Sequence, residues 1–381
     1  MKTIRILALH LAYGGVEKAI ISMANLFAEK YKVEILSVYK MPGSPAFALD
    51  ERVSVRYLLD ETPNRAEWKD ALARKNAADF IRESIKSVRV LAGKKLAVIN
   101  AIRSIHDGVL ITTRHEDNIV ASLYGDKNVL KIAQLHHDHN FEARYVRGFK
   151  KKYNNIDVFA LLAPKLTDEV RQMMAENKHT RLVSIPNFLE HYPENVDVES
   201  KEKIMLAVGR LEAVKGFDRL IRMFVRVHDI APDWKLKIVG EGAERVNLEK
   251  LIDNYKAQGY IQLTGKLSGA EVEKEMLRAS IYAMTSLSEG FPFVIMEAQS
   301  CALPCVAFDV RVGPGVLLED EKTGFLVPDG DEDTYVERTL QLMADNDLRK
   351  TMGEEALNHS HLYSRDKISE MWYSVLEENN G

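Results

Sequence analysis

Apolar runs alternate with helical patterns along almost all of this 381-residue chain, and the alternation begins afresh after a break at Pro186-Asn187. A short strand is apolar on both faces only where both are buried, so the pattern calls for parallel sheets covered by helices on each side. Before the break, strands are expected at Ile4 to Leu11, Val33 to Val38, Val109 to Thr112, Val129 to Leu135, Val158 to Leu162 and Leu182 to Ile185. Between the first two, Val16 to Glu29 sets Ile20, Met23, Ala24 and Phe27 on one face of a helix. After the break, strands are expected at Lys203 to Val208, Leu236 to Val239, Ile261 to Leu263, Ile281 to Met284, Cys305 to Ala307 and Phe325 to Val327. From Asp331 onward the pattern is helical, ending at Asp366 to Glu378 with Ile368, Met371, Trp372 and Leu376 on a stripe. A chain of this length can bury two cores, so the expected class is α/β with two doubly wound domains. The charged stretch Glu190 to Lys203, with Pro193, reads as an interdomain linker.

Apolar residues at 46% and charged residues at 28% are the proportions of a globular domain. No apolar run approaches the roughly 18 residues of a spanning helix, and Ile4 to Leu11 is too short for a secretory signal, so a cytoplasmic location is expected. Cys301 and Cys305 are the two cysteines, which excludes a disulfide framework and makes two small buried residues the simpler reading than a metal site. The net charge of -4 conceals a division: residues 1–187 carry 30 basic against 21 acidic residues, and residues 188–381 carry 22 against 35. The two halves are expected to face different partners.

Several groups stand where parallel strands end. Gly14-Gly15 follows the first strand and opens a helix whose bare amides suit a diphosphate, or simply a tight turn. An NAD fingerprint is missing, and the second strand ends in Tyr39-Lys40 rather than in a ribose-binding acid, which disfavours a dehydrogenase. Arg210 and Lys215 follow the first strand of the second half. Cations at a helix start oppose the helix dipole, and an anion such as a leaving diphosphate explains them best. Gly240, in Gly240-Glu241-Gly242, and Lys266-Leu267 follow the next two strands on the same rim, as turns or as a frame for a nucleotide.

Glu289 and Glu297 lie eight positions apart across the turn Gly290-Phe291-Pro292 and the helix beginning Phe293-Val294. One carboxylate before that helix can take sugar hydroxyls, and one within it can take vicinal ribose hydroxyls. His136-His137-Asp138-His139 ends a strand in the first half. Alternation sends His136 and His137 to opposite sides, so a hydrogen bond to sugar or phosphate is expected rather than a metal. Arg114-His115-Glu116-Asp117 either contacts an acceptor or caps its helix. Arg65 to His106 carries ten basic and four acidic residues on two amphipathic stretches, continued in character by Arg147 and Lys150-Lys151-Lys152. Such a run is either a solvated helix face or a surface for anionic lipid or a phosphorylated acceptor.

Taken together, Gly14-Gly15-Val16-Glu17-Lys18, Pro186-Asn187, Val208-Gly209-Arg210-Leu211 with Lys215-Gly216, Gly240-Glu241-Gly242, Glu289 to Glu297 and Thr323 to Pro328 resemble the retaining glycosyltransferases of family four. The form Glu289-Gly290-Phe291-Pro292 is similar to members that build bacterial cell-surface polysaccharides. The resemblance implies the GT-B fold: two Rossmann-like domains facing across a cleft, with the last helix crossing back to the first. The implied acceptor domain is 1–187 with about 364–381, and the implied donor domain is 188–363. It further implies Arg210 and Lys215 on the diphosphate, Glu289 on the donor sugar, Glu297 on the ribose, and backbone near Phe291 and Phe293 on sugar and phosphate. Gly15 would approach the phosphates on closure. His136 resembles the family's cleft histidine, with His137 as the alternative.

The expected reaction is transfer of a hexosyl group from a nucleotide diphosphate sugar, a UDP-sugar, to a glycan, lipid-linked or polyol-phosphate acceptor with retention of configuration. No cofactor or metal is expected. Contact with the inner face of an anionic membrane is a further expectation, and nucleic acid is not an expected partner. The alternatives are a nucleotide-sugar hydrolase or epimerase, or a non-catalytic nucleotide-sugar-binding subunit.

Overall fold

The computed structural model describes residues 2–60, 62–74 and 76–378, and divides into two compact units. Met1–Ile185 with Tyr373–Gly381 form the first and Pro186–Trp372 the second.

The strands of the first unit are β1 (Thr3–Ala8), β2 (Lys32–Tyr39), β3 (Val53–Leu59), β4 (Val109–Thr112), β5 (Leu130–Leu135), β6 (Val158–Leu161) and β7 (Arg181–Ser184). They form one parallel sheet in the order β3-β2-β1-β4-β5-β6-β7. Its helices are α1 (Gly15–Phe27), α2 (Arg65–Ala73), α3 (Ala77–Arg103), α4 (His115–Tyr124), α5 (Ala143–Lys152) and α6 (Pro164–Met173). The centre is dry: Ile4, Ile6, Leu7, Val33, Ile35, Leu36, Val109 and Ile111 are buried, as strands covered on both faces must be.

Two features differ from the sequence reading. β3 is an additional edge strand, its Val53-Ser54-Val55-Arg56 alternation paired to β2 in register Val33↔Val53. The two amphipathic stretches are one 27-residue helix, α3, which runs through Gly93 and is capped by the Asn76 side chain on the amides of Ala78 and Asp79. Lys75 and the Arg65 side chain, both counted in the basic stretch, lie outside what is described.

The strands of the second unit are β8 (Ile204–Val208), β9 (Lys235–Val239), β10 (Ile261–Gly265), β11 (Ile281–Met284), β12 (Cys305–Asp309) and β13 (Gly324–Pro328). They are parallel in the order β10-β9-β8-β11-β12-β13. The helices α7 (Phe217–His228), α8 (Arg245–Asn254), α9 (Gly269–Arg278), α10 (Phe293–Ser300), α11 (Pro314–Leu317), α12 (Glu332–Ala344) and α13 (Asn346–Ser360) connect and follow them. The last helix, α14 (Arg365–Glu377), crosses the boundary between the units. Within the first unit its Tyr373 hydroxyl donates to Leu26 O at 3.2 Å, and Lys30 Nζ lies 3.7 Å over the Tyr373 ring.

The expected linker is an integral part of the second unit. Tyr192 stacks on His361 and donates to Ser360 O at 2.8 Å, while Lys201 Nζ donates to Leu277 O and Cys301 O. Much of the charge in this stretch is paired, Glu199 with Lys350, Glu202 with Arg278 and Lys203 with Asp233. Cys301 and Cys305 are free and buried. Among the described residues no helix is long and apolar enough to cross a membrane.

Candidate donor site in the second unit

In the second unit the chain runs outward from β8 to β9 and β10, then returns to the other flank of β8 at β11. The connections leaving β8 and β11 therefore diverge, and a crevice opens at the carboxyl ends of these two strands, where ligands of doubly wound sheets bind. Lys215 arrives on the first connection and Glu289 on the second.

The two connections are fastened together. Gly216 sits in the left-handed region at φ 63°, and a Cβ there would stand 2.1 Å from Thr285 O, so only glycine allows this approach. Thr285 Oγ1 donates to Gly216 O at 3.0 Å, and Leu287 N donates to Val214 O at 2.7 Å. Across this seam Lys215 Nζ donates to Glu289 Oε1 at 2.6 Å, with the two side chains only 22% and 11% exposed. The sequence reading took Lys215 as a cation awaiting an external anion. In the structure its anion is Glu289, and Arg210, largely exposed, likewise reaches Glu212 Oε1 at 2.6 Å.

A buried guanidinium, not anticipated from sequence, secures the second connection from below. Arg219 in the first turn of α7 donates to Thr285 O at 2.7 Å, Ser286 O at 2.8 Å and Asp329 Oδ1 at 2.8 Å, and stacks 4.0 Å over Phe308. Gly313 is the other unanticipated residue. At φ 109° its missing Cβ would meet Glu289 Cβ at 2.7 Å. Gly240 lies against the first connection, where a Cβ would meet Gly209 O at 1.8 Å. Gly216 and Gly313 let the loops after β8 and β12 close on the loop that carries Glu289.

Pro292 caps α10, where its missing N–H costs nothing, and Phe293 opens the helix. Phe291 and Phe293 are buried, the former edge-on to Tyr363 at 5.8 Å, while Gly290, Val294 and Glu297 are half-buried. Lys266 and Leu267 follow β10, the outer strand, two strands from β8.

In the first unit the order of strands puts the equivalent divergence between β1 and β4. Gly14 caps α1 in extended conformation, and the Glu17 carboxylate folds over this helix start, where a Gly14 Cβ would lie 2.1 Å from Glu17 Oε2. Gly15 beside it is exposed. Glu17 is buried, with His10 Nδ1 at 3.4 Å.

The histidine cluster is dispersed. His136 is buried, its Nε2 3.3 Å from Gln134 Oε1, and burial pushes its pKa down to about 3, so it is a neutral imidazole. His137 is exposed, and His139 is buried with Nε2 3.1 Å from Glu169 Oε2. Among the described residues no group of three or more His, Cys, Asp or Glu side chains is arranged to hold a metal ion. Past β4, Asp117 in the first turn of α4 is 3% exposed with Oδ2 unpartnered among the described residues, and burial raises its pKa to about 6. Arg114 Nε at the cap of that helix is also buried with no partner among the described residues.

The model of the family described as glycosyl transferases group 1 matches residues 190–359. An exopolysaccharide phosphotransferase of Streptomyces coelicolor is 29% identical over 96% of this chain, which spans 39% of that protein's length. The amylovoran biosynthesis glycosyltransferase AmsD of Erwinia amylovora is 26% identical, over 95% of this chain and 96% of its own. Among solved structures, S. aureus TarM, crystallised with fondaparinux, alpha-GlcNAc-glycerol and UDP, superposes with a TM-score of 0.78 at 16% identity, covering 99% of this chain and 100% of TarM. The pneumococcal O-GlcNAc transferase GtfA, in complex with UDP and GlcNAc, gives 0.76 at 16% identity, covering 99% of each chain. The chain therefore takes the GT-B fold and carries, in residues 190–359, a domain of the glycosyl transferases group 1 family.

Proposed function

We propose that this protein transfers a hexosyl group from a UDP-sugar to a glycan, lipid-linked or polyol-phosphate acceptor in bacterial cell-surface polysaccharide synthesis, on the cytoplasmic side of the membrane. The observation that carries the reading is the Lys215–Glu289 contact of 2.6 Å at the divergence of β8 and β11. A nucleotide diphosphate sugar needs a cation for its diphosphate and an acceptor for its sugar hydroxyls, and this seam holds one of each, ready to be exchanged for ligand. The UDP in the TarM and GtfA crystals and the polysaccharide named for AmsD support the same reading.

In this proposal Arg210 leaves Glu212 to join Lys215 on the diphosphate, Glu289 holds the sugar and Glu297 the ribose. Gly240, Gly290, Phe291, Phe293 and Val294 frame the donor with backbone, Lys266 and Leu267 flank the nucleotide, Gly14 and Gly15 meet the phosphates, and His136 serves the sugar as a neutral hydrogen-bonding group. The bond from the anomeric carbon to the diphosphate oxygen breaks while the acceptor oxygen attacks on the same face, and the acceptor's proton passes to the departing diphosphate. Configuration is thereby retained without a protein nucleophile or a resident metal. Catalysis comes from positioning and from charge stabilisation on the leaving group.

Thermal shift against UDP-, GDP- and ADP-sugars tests donor binding, since a ligand bound only to the folded state raises the midpoint. Absence of a shift with every donor would overturn the reading. Free sugar released without acceptor would favour a hydrolase or epimerase, and binding without turnover a non-catalytic subunit.

A further inference from the structure

The face of α3 turned away from its own unit is apolar. Ile81, Ile85, Val88, Leu91 and Leu96 are between 59% and 68% exposed, whereas Val90, Val98 and Ile102 of the same helix are buried. The intervals between Ile81, Ile85, Val88, Ala92 and Leu96 are four, three, four and four residues, one continuous stripe along a helix of 3.6 residues per turn. A helix stabilised only by its unit would carry polar residues there. Instead Arg82, Lys86, Arg89 and Lys95 border or interrupt the stripe and are exposed. The helices α3, α4 and α5 pack side by side on one face of the sheet, so exposed Arg147, Lys150, Lys151 and Lys152 extend the basic character of that layer.

We propose that the outward face of α3 lies on an anionic lipid surface, with Ile81, Ile85, Val88, Leu91 and Leu96 in the acyl boundary and the flanking Lys and Arg among the headgroups. An apolar stripe edged by cations is the pattern of an interfacial helix, which draws on burial of apolar area and on attraction to anionic headgroups together. The charge decides against a second copy of this chain as the occupant: two such faces would bring like-charged borders together. The excess of basic residues in the unit, 30 against 23 over residues 1–185 and 373–381, favours the same partner. This goes beyond the donor reading and stands without it, because no residue of the stripe belongs to the second unit.

Flotation of the full chain with vesicles of phosphatidylcholine, alone or mixed with phosphatidylglycerol, tests the proposal. The protein is expected to float only with the anionic mixture, and less so as salt rises. The variants Ile85→Asp/Val88→Asp and Lys86→Glu/Lys95→Glu are each expected to lower the partition coefficient about tenfold or more. Their unfolding midpoints should stay unchanged, because all four side chains are exposed. Failure to float with anionic vesicles, or flotation unaffected by both variants, would overturn it. So would a dimer in sedimentation that Ile85→Asp/Val88→Asp dissociates without any flotation of the parent, assigning the stripe to a second copy. Retained thermal shift with UDP-sugar in these variants separates the outcome from that of the donor site.

Discussion

Lys215 and Glu289 are 74 positions apart in sequence and 2.6 Å apart in the structure, each drawn to the other across the loops that leave β8 and β11. In the proposed function a charged pair this enclosed has two uses: it keeps the crevice neutral, and it separates into two ligand contacts when a donor binds. Lys215→Ala and Glu289→Gln are therefore each expected to reduce kcat/KM by about ten- to a hundredfold, the scale of one charged hydrogen bond. The double variant should lose less than the product of the two, since each single change also strands its partner. Donor-dependent turnover at the parental rate in either single variant would sink the assignment.

Gly216 answers to backbone geometry rather than to charge. Alanine at φ 63° costs about 1 to 2 kcal/mol in backbone strain. Thr285 O, at 2.1 Å from its Cβ, cannot retreat freely because Arg219 also binds it. Gly216→Ala is expected to lower the second unit's unfolding midpoint by roughly 5 °C or more and to weaken donor binding. Gly259→Ala, with nothing within 4 Å of the added methyl, is the matched control and should leave both unchanged.

Arg219 holds two carbonyls of the loop that carries Glu289, and no lysine can reproduce three hydrogen bonds in one plane. Arg219→Lys and Arg219→Met are both expected to destabilise the second unit, by roughly 2 to 4 kcal/mol, through buried carbonyls left unpaired. If Arg219 acts only on stability, KM for the donor will be parental once the variants are folded. As a positioning residue it should raise KM at temperatures where circular dichroism shows an intact fold.

Burial on both faces made the central strands legible: β8 is an unbroken apolar run because helices cover it twice. β3 escaped notice because an edge strand is half-exposed, so that Ser54 and Arg56 interrupt its Val-x-Val pattern. The loops of the candidate site could be placed at strand ends from glycines and charges alone. Their pairing could not, because the partner of Lys215 is fixed by which strands neighbour β8, and sheet order is a long-range property. Arg219 reads in sequence like the solvated arginines Arg222 and Arg226 of the same helix. Only the approach of Thr285 and Ser286 shows that it points inward. The stripe on α3 left both readings open, since amphipathic spacing says which residues share a face and not which way the face turns.

Asp117 provides a prediction whose sign follows from burial. Its carboxyl is held protonated to about pH 6 in the folded chain, against an ordinary value of 3.8, because burial penalises the charge more than Lys94 and Arg114 relieve it. Between those two values the folded state binds more protons than the unfolded one, so stability from this site is present below the lower value and lost as pH rises through the upper. A displacement of that size corresponds to about 3 kcal/mol. Asp117→Asn remains neutral throughout, so its unfolding midpoint should rise relative to the parent between about pH 4 and about pH 7, whatever the offset at the acid end. Parallel midpoint curves for the two proteins across this interval would mean that Asp117 ionises as readily in the folded unit as in the unfolded chain.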